Sequence, residues 1–318
     1  MYIRKKILFL LPLIFSLSVL SSDIEEIIVK GEYREKSLGE EDSSIAVIQS
    51  EQIKSQAIKH FQQLSHLVPN LNYAASDSRA RYFQIRGIGE RSGYQGTPNS
   101  SVGFLIDDID YSGQGGIATL FDVDQVEVFR GPQGSRSGAN ALAGLIYIKT
   151  KDPTEKFEGT SELTLGDYGT QNIGIAFGGP MPNKKLKYRL VLRTDYADGF
   201  RKNIYLNKSD TSKKDELTLR YKLNWELNET TNLDFLVSKV DMDDPADIWT
   251  IDGSLNTLSD RPGMDSQNTN SYGIKITKDF SNFTFQSLTS ATKTDVIFSY
   301  DADSVSYTHL RAHETFAN

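Results

Sequence analysis

Four groups of residues in this chain have types and spacings that could do chemistry. His309 and His313 lie four apart with Glu314 beside them, and histidines at that spacing can share a zinc ion on a helix. The metalloprotease pattern needs Glu directly after the first His; Leu310 stands there, so the pair reads as a chance spacing. The acidic run "DMDDPAD" (241–247) suggests Ca²⁺, but position six of an EF-hand loop must be Gly and is Ala246. It reads as a solvated surface loop. His60 and His66 are six apart, which does not put them on one helix face. Finally, "VDQVEVFRGPQGSRSG" (123–138) runs a β-like segment into Gly131-x-x-Gly134. A phosphate cradle would need Gly-Lys-Ser/Thr at its end or Gly-x-Gly-x-x-Gly opening a helix, and neither is present. The simpler reading is a strand–turn–strand corner, where Pro132 ends sheet pairing and the glycines permit positive φ.

No residue therefore stands out as catalytic, cofactor-binding or metal-ligating. An exported hydrolase finds no paired carboxylates and no Ser/His constellation to work with. The absence of cysteine excludes thiolate metal sites and disulfides. A net charge of −7, with 35 basic residues in no long cluster, disfavours a nucleic-acid partner.

The elements that would position these groups fall into blocks. Residues 1–22 carry a basic start (Arg4, Lys5, Lys6), an apolar run from Ile7 to Leu20, then Ser21 and Ser22. The run is shorter than the ~20 residues a spanning helix needs, so it reads as a cleaved export signal. Residues 23–49 are polar, with one β-like island, "EEIIVK". Residues 50–67 read as a helix capped by Ser50, with Ile53, Ala57, Phe61, Leu64 and Leu67 or Val68 on one face, stopped by Pro69. From 71 to 150 come short strands and loops rich in Gly, Ser, Asn and Gln (90–100 and 112–116), a pattern of a compact α+β domain.

After Pro153 the texture changes. In 216–227, "ELTLRYKLNWEL", Leu217, Leu219, Tyr221, Leu223, Trp225 and Leu227 alternate with polar residues. Similar runs lie near 187–196 and 272–280, with weaker copies at 158–166, 169–179, 231–240 and 283–298. Linkers alternate between short (179–185, 228–230, 280–282) and long (197–214, 241–268). Strands of about ten residues joined in this way describe an outer-membrane barrel; a soluble β-sandwich also alternates.

The order of export signal, "EEIIVKG", "IRGIG", "VEVFRGPQGSRSGANALAGLIYIKTKDP" and alternating strands resembles that of TonB-dependent outer-membrane receptors, over residues 23–300. The aromatic usual after "RGPQG" plus two residues is replaced by Ser137. The resemblance implies an α+β plug domain (50–152) followed by antiparallel transmembrane β-barrel strands (153–303), a partial barrel of about 7 of about 22 strands. It implies a coupling box at Glu25, Glu26, Ile27, Ile28 and Val29, gripped by the periplasmic TonB protein with its inner-membrane energising complex. The alternative for that island is a first plug strand. Residues 31–44 would be a polar tether, and 304–318 read as a foreign or read-through tail.

Arg86, Gly87, Glu127, Arg130, Gly131, Pro132 and Gly134 form the implied plug motif, with Arg86, Glu127 and Arg130 as candidates to meet the barrel wall. Arg91, Tyr94, Gln95, Asn99, Tyr111 and Gln114, in Gly/Ser/Asn-rich loops, are candidates to face the solute. The implied role is energised uptake of a scarce solute across the outer membrane of a Gram-negative bacterium, with outer-membrane lipid, TonB and a small molecule as partners. An iron chelate, cobalamin or a glycan all remain open, as does a non-transporting surface binding or adhesion protein.

Overall fold

The computed structural model describes residues 26–301, apart from positions 33, 35, 76–78, 93–98 and 251. The export signal, Glu25, Tyr94, Gln95 and the tail 304–318 lie outside the described residues.

The first strands, β1 (Ile28–Val29) and β2 (Lys36–Ser37), pair antiparallel. After β3 (Ile45–Gln49) comes helix α1 (Ser50–Ser55). Strands β4 (Leu71–Ala74) and β5 (Tyr82–Ile85) form a small hairpin. Then follow β6 (Val102–Ile106), β7 (Ile109–Asp110), β8 (Val123–Phe129), the short helix α2 (Gly134–Ser137) and β9 (Gly144–Thr150). A five-stranded sheet of order β3-β8-β9-β6-β7 is the centre of this domain. It therefore begins at Ile45, ahead of the expected boundary at 50.

Both faces of the sheet are covered, which explains why β8 and β9 read as near-continuous apolar runs. Val126, Val128, Ile146 and Ile148 pack under Phe61, Leu64, Phe83 and Phe104. Phe129, Leu145 and Tyr147 pack on the other face with Leu105, Ala141 and Val29. The expected helix over 50–67 is broken. Ala57 takes φ +52 and is exposed, and the chain resumes as a 3₁₀ turn, Phe61–Leu67, capped by His60 and Gln63. The break turns Ile58 inward in place of Ala57.

The second half is a sheet of seven antiparallel strands. These are β10 (Glu158–Leu165), β11 (Gln171–Pro180), β12 (Leu186–Ala197), β14 (Lys214–Asn228), β15 (Thr231–Ala246), β17 (Gly263–Asp279) and β18 (Thr284–Ser299). Two loop segments, β13 (Lys202–Asn203) and β16 (Asn256–Thr257), pair parallel with each other. Among the described residues β10 and β18 are the sheet's edges. The acidic run 241–247 is no loop: β15 continues through Ala246, because its residues keep pairing with β17 up to Gly263.

Burial decides between sandwich and barrel. On β14 the apolar row is the exposed one, with Leu219 36% and Trp225 39% accessible, while Arg220 is 6% and Lys222 8%. On β17 Tyr272 and Ile274 are exposed and Gln267 and Ser271 are fully buried. A soluble sandwich buries its apolar row; a wall facing lipid exposes it. The inward polar row instead meets the α+β domain, which packs against that face of the sheet. Gly174 of β11 makes room for this: a Cβ there would come within 2.6 Å of the Phe121 ring. The architecture is a plug domain and a partial barrel. Among the described residues no helix is long and apolar enough to cross a membrane, which says nothing of strands.

Candidate functional site

The N-terminal island is held against the plug by its backbone. Lys30 N donates to Glu127 Oε1 at 2.6 Å and Gly31 N to Glu127 Oε2 at 2.8 Å. Gln125 Nε2 donates to Ile28 O at 2.9 Å, and Arg136 Nε to Gly31 O at 2.8 Å. Val29 is fully buried among Leu105, Phe129, Leu145 and Tyr147. Lys30 Nζ pairs with Asp124 at 2.6 Å. Burial pushes the Glu127 carboxyl above its usual range, opposed by the two backbone N–H donors. Ile27 and Ile28 are half-buried and Glu26 is exposed. Beside Lys30 and Glu32 lies a cavity of about 930 Å³. Its walls include Lys187, Asn224, Asp234 and Gln286, all near the short turns of the barrel.

The seam between plug and wall is polar, as the burial pattern requires. Asp122 meets Arg189 through both carboxylate oxygens, and Arg220 Nη2 donates to Phe121 O at 2.7 Å. Lys222 Nζ reaches Asp107 at 2.9 Å, Asp152 at 3.0 Å and Thr150 O at 3.1 Å. Burial opposes charge on Asp107 and Asp152, but Lys222 and Lys149 outweigh it and hold both carboxyls below their usual range. Nearer the long loops, Arg79 pairs with Glu216 at 2.5 Å and Arg81 with Asp265. Among the described residues Arg86 and Arg130 make no ion pair or side-chain hydrogen bond to the wall.

The motif residues act locally. "IRGI" is a tight turn: Arg86 and Gly87 take φ +55 and +81, and Ile85 and Ile88 exchange both backbone hydrogen bonds. Arg130 N donates to Ser44 O at 2.8 Å, closing the end of β8 on the start of β3. Gly131 and Pro132 then turn the chain into α2, which opens at Gly134 and delivers Arg136. Arg136 carries more than its neighbours: it binds Gly31 O, pairs with Asp108 and lies 5.9 Å over the Tyr147 ring.

Of the proposed solute-facing residues, Arg91 and Asn99 are exposed and Gln114 half-buried, its Oε1 accepting from Thr294 Oγ1 at 2.7 Å. Tyr111 is corrected: it is 3% exposed, because its ring packs in the plug core, and burial pushes its hydroxyl up to about 12. The acidic run is also accounted for. Asp244 pairs with Lys214 at 2.8 Å. Asp247 accepts from Asn203, Thr257 and Ser259, tying the long loop before β14 to the one after β15. Among the described residues no group of three or more acidic or histidine side chains could hold a metal ion.

Sequence reasoning missed Asp107, Asp108, Asp122, Arg136 and Arg189. One signal was available. Asp107-Asp108 sits between "FLI" and "IDY", where a two-residue hairpin needs positive φ, and both aspartates adopt it.

Comparison with known proteins gives the same division. The family model for the TonB-dependent receptor plug domain matches residues 37–145. The vitamin B12 transporter of Vibrio vulnificus is 25% identical over 158 residues, 46% of this chain. The pesticin receptor of Yersinia pestis is 24% identical over 192 residues, 60% of this chain. The matches span only 26% and 28% of those relatives. Among solved structures, the ferric yersiniabactin uptake receptor of Yersinia pestis superposes with a TM-score of 0.73 at 19% identity, over 82% of this chain and 42% of that one. The alcaligin outer-membrane receptor of Bordetella pertussis gives 0.64 at 17%, over 84% and 41%. Similarity at that identity speaks to fold, and the fold includes both plug and strands. The family model and the architecture agree that the first part of the chain is a TonB-dependent receptor plug domain, and the strands after it are arranged as in the solved receptors it resembles.

Proposed function

We propose that the protein is an energy-coupled receptor of a Gram-negative outer membrane that imports a scarce solute, an iron chelate ahead of cobalamin or a glycan. The solute class is favoured by the company the chain keeps: receptors named for ferripyoverdine, ferrioxamine B and ferric yersiniabactin are among the proteins it resembles. The observation that carries energy coupling is the short extended segment Ile28–Val29, placed by the short-turn end of the wall. Its β-branched residues favour extended structure, and an extended segment can add to a partner's sheet edge through main-chain hydrogen bonds. A non-transporting adhesin has no use for such a segment. Nothing in this role requires bond-making chemistry or a cofactor.

The test is Ile28→Pro in the complete receptor. Proline removes an N–H and fixes φ, so strand addition to the energising partner should fail. Iron-limited cells carrying the variant should bind radiolabelled ferric chelates as the unmodified receptor does and accumulate none. Uptake that survives the proline, or binding lost along with uptake, would overturn the assignment.

A further inference from the structure

The seam between plug and wall has two chemistries. Along β12 and β14 the inward row is charged, and Arg189, Glu216 and Lys222 pair with plug groups. Along β17 the inward row between Asp265 and Lys275 is neutral: Gln267, Thr269, Ser271 and Gly273. Their register partners on β18 are Val296, Thr294, Thr292 and Ser290, also uncharged. Among the described residues, ion pairs to the plug stand only at the two ends of this stripe, Arg81 with Asp265 and Asp108 with Lys275 at 3.7 Å.

The plug fits the stripe loosely. Gln267 Oε1 and Ser271 Oγ are buried and have no hydrogen-bond partner among the described residues. Arg189 and Arg220 each carry a spare nitrogen too, but their guanidinium groups are held through other nitrogens. A wall built only to hold the plug would satisfy such groups, since leaving one unmade costs free energy. At Gly273 a Cβ would lie 3.3 Å from Ile109 Cδ1, and φ there is not positive, so glycine serves to admit Ile109. On the short-turn side of that contact begins the cavity of about 930 Å³, lined there by Lys275, Gln286, Ser287 and Leu288.

The element covering the stripe is the least tied part of the plug sheet. Residues 109–116 lie over it. Ile109 meets Gly273, Gln114 Oε1 accepts from Thr294 Oγ1 at 2.7 Å, and a Cβ on Gly116 would lie 3.7 Å from Gln267 Oε1. β7 is an edge strand and pairs with β6 through two residues. Asp107, just before it, is anchored by Thr150 N at 3.0 Å and Lys222 Nζ at 2.9 Å. Beyond that anchor the segment can swing out with no interior strand broken. Asp122 and Phe121, on the ion-paired side, lead instead into the interior strand β8.

We infer that, within the described wall, the solute's passage runs along β17 and β18 and is opened by displacement of residues 109–116, while β12 and β14 keep hold of the plug. This deepens the import reading above and rests on it. A passage must bind its cargo weakly enough to release it. The hydroxyl and amide groups of the stripe meet that requirement, where a row of arginines and lysines would trap an anionic chelate. Burial of Ile109 and Tyr111 keeps the passage shut at rest.

The chain has no cysteine, so introduced thiols report directly. Ser271→Cys and Thr218→Cys each place one on the buried inward row, the first on the stripe and the second on β14. In the complete receptor in detergent and mild urea, with no solute present, Ser271→Cys should react with a soluble maleimide at least about tenfold faster, because local opening precedes release of the ion-paired side. Equal rates, or a faster Thr218→Cys, would overturn the inference. Import is tested by joining plug to wall with a short bifunctional methanethiosulfonate that reductant removes. Linking Ile109→Cys to Gly273→Cys should abolish accumulation of radiolabelled ferric hydroxamate and ferric catecholate chelates by iron-limited cells while surface binding persists, and reductant should restore it. On the other side, where a Cβ on Gly174 reaches the Phe121 ring, linking Phe121→Cys to Gly174→Cys should leave accumulation within about twofold. A block by both links would mean that the plug moves as a whole, and a block by neither that the passage lies elsewhere; either result sinks the proposal. An unlinked receptor that accumulates neither chelate would count against the import reading instead, and the labelling rates would still decide where the seam opens.

Discussion

The ion pair between Asp122 and Arg189 is the clearest place to measure how the plug is held. Asp122 stands at the turn into β8 with φ +59, and its side chain is 1% exposed; that of Arg189, on β12, is 4% exposed. Arg189 Nε donates to one carboxylate oxygen at 2.7 Å and Nη2 to the other. Removing one member of such a buried pair leaves the other charge stranded, at a cost of about 3–5 kcal/mol. Removing both leaves no charge behind and costs far less.

Asp122→Asn keeps a residue that tolerates the left-handed backbone, and Arg189→Met keeps most of the stem's volume. Each alone should therefore weaken plug attachment by about 3 kcal/mol, a change on the order of a hundredfold in the detached population. Together they should cost about 1–2 kcal/mol, which makes the coupling energy larger than 2 kcal/mol in magnitude. The assay is a urea series on the complete receptor in detergent, with a short protease pulse at each concentration to cut only detached plug. Additive single effects, within about 0.5 kcal/mol, would refute the claim that this pair spans a dry seam.

Further outcomes follow from the same seam and core. Asp107 and Asp152 are held below the ordinary 3.8 of an aspartate, so their contribution is complete above about pH 4 and lost as pH falls through their lower folded values. The protease-pulse midpoint should drop in acid, and Lys222→Met should lower it at neutral pH and flatten the acid dependence. His60 is buried and neutral, pushed well below 6.5 by burial and by Arg79. The unfolded chain alone takes up its proton just below pH 6.5, so plug stability should be full above that and fall as pH drops, a slope that His60→Gln removes. Gly144→Ala would bring a Cβ within 2.3 Å of Phe129 O and 2.6 Å of Ile85 Cδ1, and should destabilise the plug by about 2–3 kcal/mol in urea. Asp247→Ala unties the two long loops and should expose residues 198–213 and 247–262 to protease while leaving the plug's urea midpoint unchanged.

The wall was legible in the sequence because membrane strands write their two faces as alternation, and a twelve-residue run such as 216–227 carries the pattern alone. Which face was inside was not written there. Leu219 and Arg220 alternate identically in a sandwich and in a barrel, and only the plug's presence against Arg220 turns the polar row inward. The corner at Arg130-Gly131-Pro132 was also legible, since proline and glycine act on their own backbone. Partners across long sequence separations were not. Glu127 looked like a wall contact because a charged residue in an apolar strand needs a partner, and pattern cannot say that the partner is backbone at residues 30–31. The helix over 50–67 failed for a related reason. Ala57 fits the helical spacing, but Ile58 is the larger apolar side chain and takes the core position, at the cost of a left-handed residue.

The polar character of the seam bears on what the plug can do. Had the plug met the wall through apolar area, burial at ~25 cal/mol per Å² would have made separation costly everywhere at once. Charged pairs behave differently: their attraction is largely offset by desolvation, and water entering the seam restores what is lost. Asp122–Arg189, Asp107–Lys222 and Arg81–Asp265 fix the plug's position strongly while adding little net free energy for holding it there. Replacing the last pair, neither member of which has a left-handed backbone, by matched apolar side chains should therefore tighten the plug or leave it unchanged, and should make it slower to rearrange. A variant such as Arg81→Met with Asp265→Leu that bound ferric chelate normally but imported it poorly, with a raised urea midpoint, would place mobility of the seam in the transport cycle. Unimpaired import by a plug held more tightly would show that this end of the seam does not have to open.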